Sequence, residues 1–221
     1  MKILKKRAEI AIDSINLDGE LNIPECARGI VLFSHGSGSS RHSPRNKYVA
    51  QTLQQEGLAT LMLDLLTEEE DQKDYHKRFD IQLLVERLLL VTDWVKENEL
   101  TKNLDIGYFG ASTGAASALG AAALLGDTVK AVVSRGGRPD LAKPYLEEVN
   151  VPTLLIVGSR DFYVIELNEE AFSLLHTPEK KMVSVMNASH LFQEPGALGE
   201  VAHYASLWFR KYLNKEELVI Q

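Results

Sequence analysis

Asp105-Ile106-Gly107-Tyr108-Phe109-Gly110-Ala111-Ser112-Thr113-Gly114-Ala115-Ala116 sets the reading of the whole chain. Its first half is a short apolar run, the pattern of a buried strand. The run breaks at Gly110, presents Ser112, passes Gly114 and dissolves into an Ala-rich segment that reads as helix. Gly110-Ala111-Ser112-Thr113-Gly114 is therefore a G-x-S-x-G pattern with a strand before it and a helix after it. The spacing has a steric cause. A serine on so sharp a turn takes strained dihedrals, and the residues two before and two after it come into contact, so only small side chains fit. The same turn sets the serine at a helix N-terminus, where unpaired N–H groups and the helix dipole favour developing negative charge.

On either side, strand-like and helix-like segments alternate. Gly29 to Ser34, Ala59 to Asp64, Val129 to Ser134, Pro152 to Gly158 and Lys181 to Met186 read as strands, the continuous apolar ones covered on both faces. Ser43-Pro44 starts a helix that ends at Gly57. Phe79 to Glu97 carries apolar residues at helical spacing, Leu167 to Leu175 is helical, and Glu194-Pro195 opens a last helix running to about Leu213. Thr67 to Asp74 reads as a polar turn, and Tyr145 to Val149 as a short helix at most. Residues 8 to 23 alternate polar and apolar with Asp18-Gly19 between the two halves, the mark of an antiparallel hairpin or an edge-strand pair. With no repeat and no linker, the expectation is a single α/β domain over residues 1–221. It has a mostly parallel central sheet, an antiparallel N-terminal edge and helices on both faces. Ligands in such sheets bind at the carboxyl ends of the strands. The short segment from Ser134 to Thr153 leaves room for a minimal lid or none.

The composition, 45% hydrophobic and 25% charged, is that of an ordinary globular protein. A net charge of -7 argues against nucleic acid and anionic membranes as partners. The single Cys26 excludes an internal disulfide and a cysteine-based metal cluster, and fits a reducing compartment. The basic start is followed by an apolar stretch that Glu9 and Asp13 interrupt, unlike a signal peptide. No uncharged apolar run approaches the ~20 residues a membrane span needs. A cytoplasmic protein is expected.

A hydroxyl becomes a good nucleophile when a base takes its proton and a carboxylate orients that base. In this topology the partners follow the serine in the order acid, then histidine, each just past a later strand. Asp161 and His190 stand there, whereas His76, His176 and His203 fall in a polar segment or on helices. Asp140 is the second-ranked acid. The backbone N–H of Thr113 supplies one oxyanion donor, and the loop His35-Gly36-Ser37 the other, with Ser37 chosen by position. Arg135 and Arg138 flank Gly136-Gly137 at a strand end. They are candidates for a substrate carboxylate, against the favoured reading of a pair structuring its own loop. Phe162 and Tyr163 read as packing residues, and Glu68 to Asp71 as a solvated charge run. Neither glycine loop spells a nucleotide-binding motif.

These residues carry a resemblance. The His-Gly-Ser-Gly-Ser-Ser loop, Leu63 to Thr67, the Gly110 to Gly114 turn, Val157 to Asp161 and Ala188-Ser189-His190 together resemble the α/β-hydrolase fold, and within it the dienelactone-hydrolase-like group. The chain also looks like hydrolase modules fused to phosphoribosyltransferase domains in some bacteria. The resemblance implies Ser112 as nucleophile, His190 as general base and then acid, Asp161 as its orienting carboxylate, and no cofactor or metal. One departure is that dienelactone hydrolases proper use a cysteine nucleophile. The expected activity is cleavage of small or short-acyl esters through an acyl-enzyme. The alternatives are a thioesterase, lactonase or small-peptide hydrolase with the same triad, a catalytically silent binding module, and a nucleotide-binding protein.

Overall fold

A computed structural model of the chain describes residues 2–12, 15–177 and 179–213. The elements in order are β1 (Ile3–Ile12), β2 (Ile15–Pro24), β3 (Gly29–Ser34), α1 (Pro44–Gln55), β4 (Leu58–Leu63), α2 (Glu68–Lys73), α3 (Ile81–Glu97), β5 (Asp105–Ala111), α4 (Gly114–Leu125), β6 (Val129–Arg135), β7 (Thr153–Gly158), α5 (Phe162–Leu174), β8 (Lys180–Val185) and α6 (Ala197–Tyr212). Short 3-10 helices span Tyr75–Phe79 and Pro139–Glu148.

The strands form one eight-stranded sheet in the order β1-β2-β4-β3-β5-β6-β7-β8. β3 to β8 are mutually parallel, and β2 and β1 add antiparallel to the β4 edge. Every residue of β3, β4 and β7 is buried, as unbroken apolar runs demand when helices cover both faces. One face packs α3, α4 and α5 through Leu88, Val91, Leu119 and Ala171. The other packs α1 and α6 through Val49, Leu53 and Phe209. The Ala-rich α4 is buried at every position from Gly114 to Ala122, because methyl side chains let it lie close on the sheet. Parallel order brings the carboxyl ends of β3, β5, β6, β7 and β8 to one edge.

Several sequence expectations are corrected here. Asp18-Gly19 is no turn: the pair lies inside β2, opposite Glu9 and Ala8. Asp18 instead pairs across the strands with Arg7, at 2.8 Å. Gly19 lies where a Cβ would come within 3.1 Å of Leu61, so the glycine serves close approach. The chain reverses between Ile12 and Ile15, and the two residues between them lie outside the described ones. The segment expected as a polar turn is α2, started by a capping box in which Thr67 and Glu70 satisfy each other's amides. Tyr145 to Glu148 is the end of the longer 3-10 helix. α5 begins five residues earlier than read, at Phe162, with Asp161 in the N-cap position. α6 begins at Ala197, after Gly196 in the left-handed region.

Candidate active site

Ser112 joins β5 to α4 with φ +52°, a left-handed conformation that costs a non-glycine residue energy. The surroundings over-determine it. Its N–H donates to the Arg135 carbonyl at 3.2 Å, and its own carbonyl accepts from Ala115 and Arg138 at 3.1 and 3.0 Å. A Cβ on Gly114 would overlap the Ser34 carbonyl, so this turn fits against β3 only with glycine there. A Cβ on Gly36 would fall 2.9 Å from the Ser112 Cβ, which brings the loop after β3 directly against the serine.

The loops after β7 and β8 deliver the two partners. His190 Nε2 lies 3.4 Å from Ser112 Oγ, and its Nδ1 lies 2.6 Å from Asp161 Oδ2. These loops are knitted by Ser159 N–H to the Val185 carbonyl at 3.0 Å and Arg160 N–H to the Ala188 carbonyl at 2.9 Å. Phe192, buried and itself at φ +54°, anchors the His190 loop into the α1–α6 core. Asp140 is elsewhere: both its oxygens take the Arg138 guanidinium at 2.8 Å.

Ser37 and Thr113 are also adjacent, since the Ser37 N–H donates to Thr113 Oγ1 at 2.7 Å. The carbonyl of that same peptide group, on Gly36, lies 2.9 Å from His35 Nδ1. His35 Nε2 in turn sits 3.2 Å from Asp64 Oδ1. Asp64 also accepts the Arg41 amide at 2.6 Å and pairs with its guanidinium. Burial alone would push the Asp64 carboxyl up, but the bonds from His35 and Arg41 outweigh it and hold it below the usual range. This His35–Asp64–Arg41 chain was not legible as a site in the sequence.

The two arginines part company. Arg138 ties down its own loop through Asp140 and lies over the Tyr163 ring, 5.7 Å from its centre. Arg135 is only 6% exposed and runs beneath the His190 loop. Its Nη2 reaches Asn46 Oδ1 at 3.4 Å, and its guanidinium stands 5.9 Å from the Phe192 ring centre. Burial and neighbouring Arg45 depress its pKa to about 10. Phe162 and Tyr163 are not packing residues: they are 73% and 61% exposed, on the rim beside Asp161.

A cleft of about 370 Å³ opens beside Gly36, Ser37 and Thr113. Its far wall is α2 and the Tyr75–Phe79 turn, contributing Glu68, Asp71 and Arg78, so cover comes from between β4 and α3. The segment after β6 is the compact 3-10 helix. Among the described residues no group of side chains has the make-up of a metal site, and no helix is long and apolar enough to cross a membrane.

A mostly parallel sheet whose central strand presents a serine on a strained turn, facing a histidine and an aspartate from later strand ends, defines an α/β-hydrolase-type fold. The model of the dienelactone hydrolase family matches residues 17–214, and the chain belongs to that family. It is 54% identical to a dienelactone hydrolase from Anabaena variabilis ATCC 29413, whose crystal structure superposes with a TM-score of 0.94 over 97% of this chain and 100% of that one. Est1E from Butyrivibrio proteoclasticus shares the fold at 17% identity, with a TM-score of 0.79 over 93% of this chain and 98% of that one. Two Mycobacterium tuberculosis proteins, named for a provisionally assigned phosphoribosyl transferase activity, are 51% identical over 209 residues. That match takes in 94% of this chain but 46% of theirs, so the chain spans about half the length of these curated relatives. Family and fold place a hydrolase-type domain over residues 17–214.

Proposed function

We propose that the protein is a serine hydrolase that cleaves small or short-acyl carboxylic esters through an acyl-enzyme. One observation carries the reading: His190 bridges Ser112 and Asp161 through its two ring nitrogens. Nε2 takes the Ser112 proton as Oγ attacks the ester carbonyl carbon. The imidazolium then returns that proton to the departing alkoxide, leaving the acyl group on Ser112. Water, deprotonated by the same nitrogen, attacks the acyl carbon, and the proton goes back to Ser112 as the acid leaves. Asp161 holds the ring in the tautomer this needs and stabilises the imidazolium. The 3.4 Å contact is long for a hydrogen bond and tightens when substrate closes the site.

The tetrahedral oxyanion is held by the amides of Thr113 and Ser37. Thr113 Oγ1 now occupies the acceptor position on Ser37, and a turn of the Thr113 side chain hands that N–H to the oxyanion. The Gly36–Ser37 peptide keeps its orientation because His35, backed by Asp64, grips its carbonyl. A thioester, lactone or activated amide would meet the same groups. The small cleft favours short acyl chains. No cofactor is needed, and a small-molecule ester is the partner.

The test is turnover of activated esters of increasing acyl length. The proposal expects the rate to fall as the chain grows and to vanish in Ser112→Ala. Parent-like turnover by that variant would overturn it.

A further inference from the structure

Arg45 and Arg135 form an electrostatically incomplete pair. The chain holds 31 acidic against 24 basic residues. Yet among the described residues no carboxylate oxygen lies within 4.0 Å of either guanidinium. Arg135 is buried, and among the described residues the one side-chain partner of its guanidinium is Asn46, which Nη2 reaches at the long distance of 3.4 Å. The buried Nε atoms of both arginines have no acceptor among the described residues. Burial first, and the charge of Arg45 second, lower the proton affinity of Arg135, though not enough to discharge it at neutral pH. A buried cation without an anion is costly, so this arrangement is stabilised by whatever anion completes it.

The surroundings show where that anion enters. Arg45 lines an open groove of about 430 Å³ together with Ser39, Ser40, Ser43 and Arg78. Asp71, also on the groove, has both oxygens taken by Arg78 and offers no counter-charge to Arg45. Ser43 Oγ already accepts the Asn46 amide, which leaves its proton to donate outward. The groove shares Ser39, Ser40 and Arg78 with the cleft that reaches Thr113, so the two are continuous.

We propose that Arg45, with the positive charge of Arg135 buried behind it, forms a binding site for a phosphate group, opening from this groove. The Arg45 guanidinium and the hydroxyls on the groove, with a second positive charge buried behind them, match a dianion with several acceptor oxygens better than a single carboxylate. The phosphate is either the remote end of the ester substrate or free inorganic phosphate. The first source rests on the ester-hydrolase reading, and the second does not.

The test has two arms. In the first, inorganic phosphate is titrated into the full chain by calorimetry at constant ionic strength. Saturable one-to-one binding is expected, weakened at least ~tenfold by Arg45→Gln. No saturable binding, or equal affinity in parent and Arg45→Gln, overturns the site. Arg135→Met serves as an independent check. Without phosphate it is expected to melt at or above the parent temperature, because an unpaired buried charge is gone. A lower melting temperature would show that Arg135 already has what it needs and would count against the proposal. In the second arm, activated esters with and without a terminal phosphate are compared. A substrate-borne site predicts that Arg45→Gln raises KM ~tenfold for the phosphorylated ester alone. Equal effects on both esters, with calorimetric binding intact, assign the site to free phosphate.

Discussion

Replacing Ser112 by glycine and by alanine separates the cost of the turn from the chemistry it serves. Both changes remove the hydroxyl, so neither variant should turn over ester. They differ in what the backbone asks of them. Residue 112 sits at φ +52°, held there by the hydrogen bonds to Arg135, Ala115 and Arg138. An L-residue in that region costs about 1–2 kcal/mol, and glycine close to nothing. Glycine also gains freedom in the unfolded chain, which takes back about 0.4–1 kcal/mol. The net expectation is that Ser112→Gly is more stable than Ser112→Ala by about 0.5–1 kcal/mol. For a chain of this size that is a gap of about 1–4 °C in melting temperature. Thermal melts and urea titrations of the two variants side by side measure it, with equal m-values confirming that the native state is the same. Alanine melting at or above glycine would show that the turn stores no strain, and the argument from the dihedral would fail.

Other expectations follow from the same geometry. Asp161→Asn should lower kcat by about 10⁴, since the imidazole loses its tautomer and orientation. Asp140→Asn should cost far less, because Asp140 serves Arg138, and a larger loss there would reassign the acid. Asp64→Asn frees His35 and with it the Gly36–Ser37 peptide, so kcat should drop at least ~tenfold with KM nearly unchanged, as expected when an oxyanion donor is misaligned. A change confined to KM would contradict that role. Glu70 gives a pH test of stability: burial would raise its pKa, but Arg87, the Thr67 amide and Lys77 bring it down to about 2. A depressed carboxylate contributes stability that is present above its ordinary pKa of 4.5 and is lost as pH falls towards 2. Allowing for solvent screening, Glu70→Gln should cost about 1 kcal/mol at pH 7, with the gap to the parent closing on acidification. A gap that stays constant with pH would mean the group's charge does not matter.

The parts of the fold set by unbroken apolar runs were legible in the sequence. Gly29 to Ser34 and Thr153 to Gly158 have one way to bury so many apolar side chains, between two layers of helix. The strand-end positions of Ser112, Asp161 and His190 followed from the alternation, and the structure brings the three together. What failed depended on partners distant in the chain. Asp18-Gly19 has the local chemistry of a turn, but Arg7 opposite and the need for close approach to Leu61 keep it in a strand. Thr67 to Asp74 reads as a polar turn, although Thr67 and Glu70, three apart, already spell a helix start. Phe162 and Tyr163 read as packing residues in the sequence, and nothing local tells that α5 turns them outward. The grip of His35 and Asp64 on the Gly36–Ser37 peptide needs β3 beside β4, a pairing that no residue spacing announces. Arg45 drew no notice because its isolation from acids is a property of space, not of sequence.

Labelling the folded protein with a fluorophosphonate probe, followed by peptide mapping, tests the central assignment most directly. The account predicts a single covalent adduct on Ser112, strongly reduced in Asp161→Asn. An unlabelled Ser112 in folded protein, or an adduct on another serine, would contradict it.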